Sequence, residues 1–98
     1  MFVQVNESIQ PLARAAKYED PLDAALKQAK LGEVTGGGSM LTKEGRIEWV
    51  GIDVELANVD RGIPFLKAKL RDLGVPKGST LEYRSDGKKF VVPVHDPQ

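Results

Sequence analysis

The chain has 98 residues, no cysteine, and 14 Lys+Arg against 14 Asp+Glu, so its formal net charge is zero. That length permits one domain with one modest core, expected over 1–98 with 95–98 as a short tail. The composition excludes a disulfide framework, a thiolate nucleophile and any Cys-ligated metal site, and the 41% apolar content with balanced charge excludes a disordered chain.

Phe2 to Ile9 reads as a strand, with Val3, Val5 and Ile9 on one parity; Glu7 breaks the set, and Pro11 ends it. Leu12 to Glu19 is alanine-rich but shows no cap. Asp20-Pro21 predicts a helix start, with Asp20 as cap and Pro21 at the first helical position. Leu22, Ala25, Leu26 and Ala29 make its apolar stripe, and Gly32 its stop. Glu33 to Thr42 and Arg46 to Asn58 read as a hairpin. Its loop is Lys43-Glu44-Gly45 with Gly45 left-handed, which places Leu41 opposite Ile47.

The apolar parity of the second hairpin strand changes between Ile47/Trp49 and Ile52/Val54/Leu56. One inserted residue at Val50-Gly51 restores a single apolar face, so a β-bulge is predicted there, with Trp49 in the core. A second helix begins at Asn58 or Asp60 and runs to about Leu73, with Ile63, Leu66, Leu70 and Leu73 on its stripe and Pro64 in its first turn. Gly74-Val75-Pro76 stops it. Thr80 to Arg84 and Lys89 to Val94 form a last hairpin around Asp86-Gly87, pairing Tyr83 with Phe90 and Leu81 with Val92; Pro93 marks an edge strand.

The order is β-α-β-β-α-β plus one strand. The expected class is α+β on the ferredoxin-like split βαβ plan, with two helices covering one face of an antiparallel sheet and an extra C-terminal edge strand.

Two features stand out for function. Gly36-Gly37-Gly38-Ser39 offers backbone N–H groups that could cradle an anion. It matches no phosphate-loop pattern and precedes a strand, so a bulged strand or a close backbone approach is the favoured reading. Glu48, Asp53 and Glu55 share the face away from the core if the bulge exists. Paired carboxylates there could hold a divalent cation or serve as acid and base, although a solvated strand face is the simpler account. Lys67, Lys69, Arg71 and Lys77 give the second helix a basic flank.

No apolar run reaches the roughly 18–20 residues of a membrane helix, and no signal peptide is evident, so a cytoplasmic protein without a membrane partner is expected. Zero net charge and the acidic strip argue against nucleic acid. Val34 to Ser39, Ile52-Asp53-Val54-Glu55-Leu56 and Leu70 to Ser79 resemble segments of small bacterial α+β domains of no assigned activity, a resemblance that carries over no functional residues. No catalytic set converges and no cofactor or metal is implied. The leading expectation is a non-enzymatic interaction module that binds itself, as a homodimer, or another protein through the open sheet face or an edge strand. The alternative is a small-ligand site or small enzyme around Gly36–Ser39 and the Glu48/Asp53/Glu55 strip; a third is an inhibitor or immunity-type protein.

Overall fold

The computed structural model describes residues 1–95. Strands are β1 (Phe2–Val5), β2 (Gly32–Leu41), β3 (Ile47–Leu56), β4 (Thr80–Ser85) and β5 (Lys88–Pro93). Helical run α1 joins an α-turn (Pro11–Arg14), a π-helical stretch (Ala15–Glu19) and an α-helix (Asp20–Gln28); α2 is Val59–Asp72. The fold is α+β. One antiparallel sheet has the order β2-β3-β1-β4-β5, which leaves β2 and β5 as edges.

The core lies between one sheet face and the helices. Val3 and Val5, Val50, Ile52 and Val54, and Leu81 point inward from the strands. Tyr18, Leu22 and Leu26 meet them from α1, and Leu66 and Leu70 from α2. Each fully buried side chain of this kind contributes roughly 1.5–3 kcal/mol.

β1 is shorter than expected. It ends at Val5, where Glu7 N–H donates to Val5 O (2.8 Å) and Asn6 N–H to the buried Ser79 Oγ (3.0 Å). Pro11 opens the helical run, since a missing N–H costs nothing at the first helical position. Asp20-Pro21 is not a helix start: Glu19 and Asp20 are already helical. The Asp20 N–H donates to Ala15 O, five residues back, and this wider turn lets the proline ring enter without colliding with the preceding turn. The run closes at Lys30, whose φ of 58° is left-handed, rather than at Gly32. Lys30 N–H donates to Lys27 O and Leu31 N–H to Leu26 O, which satisfies those two carbonyls of the last turn. Pro64 lies inside α2 rather than in its first turn, on an exposed position where water can serve the unpaired carbonyl. The Asn58 side chain caps α2 by accepting Arg61 N–H at 3.0 Å.

Both hairpin turns have the expected register. Gly45 is left-handed and Leu41 pairs with Ile47. Asp86 and Gly87 both have positive φ, Tyr83 pairs with Phe90, and their rings stack with centroids 5.4 Å apart. The bulge lies elsewhere than predicted. Val50 and Gly51 stand in regular ladders with Ser39 and Gly38 on one side and with Val5 and Gln4 on the other. The register instead slips between Met40/Trp49 and Leu41/Ile47, leaving Glu48 as the extra residue. Trp49 therefore belongs to the open face and not to the core. It meets Phe2 edge to face, with centroids 5.9 Å apart. The Phe2 ring covers Gly51, where a Cβ would overlap it. A second slip, between Val34 and Gly36, leaves Thr35 unpaired in β2.

Candidate functional site: the open face and the β2 edge

The ladder partners define rows across the sheet. One row on the open face runs Gly36, Asp53, Phe2, Glu82, Val91. Beside it Glu33 lies directly opposite Glu55, a like-charge pair that repels. Lys89 Nζ neutralises Glu82 at 3.0 Å. Asp53 and Glu55 are exposed and have no ion-pair partner among the described residues. An open groove of about 850 Å³, lined in part by Phe2, Asp53, Glu55, Glu82 and Arg84, follows this end of the sheet.

Asp53 and Glu55 share a face because they stand two residues apart in a regular ladder; the bulge expected at Val50-Gly51, which was to set Glu48 on that face with them, is absent, and Glu48 is itself the extra residue. Glu48 is exposed and lies five residues from Asp53, roughly 15 Å along the strand. Among the described residues, no three His, Cys, Asp or Glu side chains gather as metal ligands.

Gly36, Gly37 and Gly38 are extended strand residues; the positive-φ glycines are Gly45, Gly74, Gly78 and Gly87. An anion nest needs alternating right- and left-handed backbone, which this run lacks. The helix side of the run is occupied instead. Arg14 Nε pairs with Glu19 Oε2 at 2.7 Å, and Arg14 donates to Ser39 Oγ at 3.1 Å. Glu19 sits so close that a Cβ at Gly37 would be 2.8 Å from its Oε1. A carboxylate in this position repels an anion. On the opposite face, a Cβ at Gly36 would be 3.3 Å from Asp53 Oδ2, so the Asp53 carboxylate lies beside Gly36 with no side chain between it and the sheet edge. At Gly38 the space is open.

The two edges of the sheet differ. β5 carries Lys88, Lys89 and Pro93, residues that discourage further strand pairing. β2 is blunted chiefly over its first half. There Val34 N–H donates to Asp23 Oδ1 (2.9 Å), and Thr35 bulges out of register. The second half, Gly36–Leu41, has no charge and no proline, and Met40 (44% exposed) and Leu41 (57%) stand at its end.

Two polar clusters escape the sequence reading. The buried Tyr18 hydroxyl donates to the Glu7 carboxylate, and Lys17 Nζ lies 2.9 Å from Glu7 Oε1 and 5.0 Å from the Tyr18 ring centroid. Burial pushes the Glu7 carboxyl up, but the hydrogen bonds from Tyr18 and Lys17 outweigh it and hold the group below its ordinary value. Burial, then the Glu7 hydrogen bond, raises the Tyr18 phenol. At the edge, the Val34 N–H and then Lys27, 3.0 Å away, lower Asp23. The fourfold spacing of Arg14, Tyr18, Leu22 and Leu26 was the legible sign that the inward stripe of α1 starts before Asp20.

Arg71, on the predicted basic flank, donates to Val94 O at 3.0 Å. His95, assigned to the tail, has Nε2 2.7 Å from Val75 O; the rest of that tail, 96–98, lies outside the described residues. No helix among the described residues is long and apolar enough to cross a membrane. The chain matches no protein-family model, no curated protein and no solved structure.

Proposed function

We propose that this chain is a cytoplasmic interaction module that docks a partner by strand addition to the Gly36–Leu41 edge of β2. The observation that carries this reading is the asymmetry of edge protection. Sheet edges are ordinarily blunted by charge, proline, bulges or a covering element, and β5 and the first half of β2 follow that rule. Gly36–Leu41 departs from it, and three glycines in a strand suit a place where another backbone comes close. Main-chain hydrogen bonds would supply affinity, and Met40 and Leu41 an apolar contact. The ferredoxin-like plan belongs to the same proposal: β1 inserted between β3 and β4, and helices following β1 and β3, support it, with β5 as the additional edge.

The test is selection of short extended peptides from a displayed library. Bound peptides are expected to protect the amides of Gly36–Leu41 from hydrogen exchange. They should bind Gly38→Lys at least roughly tenfold more weakly while binding Val91→Lys, on β5, unchanged. Peptides indifferent to Gly38→Lys would defeat the edge reading.

A further inference from the structure

Resting on that reading, we infer that the segment added to the β2 edge is basic, with a Lys or Arg side chain that crosses Gly36 to reach Asp53. Asp53 is on β3, one strand in from the edge. In an ordinary sheet the side chain of the intervening residue would separate it from a partner strand. Here that residue is Gly36, which has no side chain, and Asp53 Oδ2 lies 3.3 Å from where its Cβ would stand. An added strand would lie one interstrand spacing, about 4.7–4.9 Å, beyond Gly36 and so two spacings from β3, a gap that an extended lysine or arginine side chain spans when no side chain stands between. Gly38, the next residue on the same face, leaves open space. Glu33 and Glu55, set against each other on that face, add to the negative field.

The same geometry argues against a second copy pairing through its own β2. That strand, Gly32–Leu41, contains no Lys or Arg, and its one charge is Glu33. Self-pairing would bring Asp53 no cation.

Fluorescence anisotropy with labelled peptides tests the inference: one alternating threonine with lysine, one threonine with serine and one threonine with glutamate. The lysine peptide is expected to bind most tightly. Asp53→Asn should weaken it about two- to fivefold, the range of an exposed pair, and Asp53→Lys roughly tenfold or more. The serine peptide should not respond to Asp53→Asn. Equal binding of the lysine and serine peptides, both lost in Gly38→Lys, would overturn the basic preference and leave the edge reading standing. Lysine-peptide binding that survives Gly38→Lys and vanishes with salt would place the charge attraction elsewhere and overturn both. Concentration-dependent oligomers in sedimentation, abolished by Gly38→Lys and without peptide binding, would make the occupant a second copy and overturn the inference.

Discussion

Gly32→Ala isolates what one methyl group does where β2 leaves the helical run. An added Cβ would overlap the Glu55 carbonyl oxygen and lie 3.1 Å from both the Glu55 carbonyl carbon and Leu56 Cα, against 3.4–4 Å for ordinary contacts. All three atoms are backbone, and Gly32 is paired with Leu56, so no rotamer change gives relief. β2 must move off β3 at the point where Ala57 N–H donates to Leu31 O at 2.8 Å. Overpacking of this kind costs about 1–3 kcal/mol. At about 2 kcal/mol, a domain of this size loses roughly 8–16 °C in Tm. Gly38→Ala is the matched control: its Cβ meets open space and its φ is not left-handed, so it should be neutral or stabilising by up to about 1 kcal/mol. Urea unfolding followed by Trp49 fluorescence and by far-ultraviolet circular dichroism measures both. A Gly32→Ala stability within about 0.5 kcal/mol of the parent, or a Gly38→Ala that falls alongside it, would refute the steric account.

Gly37→Val should also destabilise by more than the roughly 0.5 kcal/mol of a surface change, because its Cβ would press on Glu19 Oε1 and stand 3.1 Å from Gly51 O; a neutral denaturation midpoint would show that the Glu19–Arg14 pair does not sit over the run. The Glu7–Tyr18–Lys17 cluster predicts stability that declines at both ends of the pH scale. Glu7 is lowered from 4.5 in the fold, so its contribution is present above that value and is lost as pH falls through the lower folded value. Tyr18 and Lys17 are raised from 10.0 and 10.5, so theirs is present below those values and is lost as pH rises through the higher folded ones. Thermal melts across pH should show Glu7→Gln flattening the acid limb; superimposable acid limbs would remove Glu7 as its source.

Local rules carried furthest where one turn decides the outcome. Gly45 and Asp86-Gly87 demand left-handed backbone, and the registers of both hairpins followed from them. Rules failed where a distant element substitutes for a local signal. Asp20-Pro21 looks like a cap and first turn, yet Tyr18 has a core to enter and draws the helix back past it. The parity change in β3 required a bulge, but its place depended on the neighbours. Gly51 lies under the Phe2 ring and between two ladders, so the extra residue moved to Glu48 and sent Trp49 to the open face.

For the candidate site the division is similar. The glycine run and the acidic residues were visible as residue types in a strand hairpin. That β2 is the other edge, which half of it Asp23 covers, and that the Asp53 carboxylate lies beside Gly36 were not. By itself the sequence determined the order of the strands and helices, both hairpin turns and most of the inward-facing residues, because these depend on backbone conformation and periodicity over a few residues. The tertiary structure alone decided which backbone groups remain unpaired and which charges meet across strands, because both depend on partners far away in the chain.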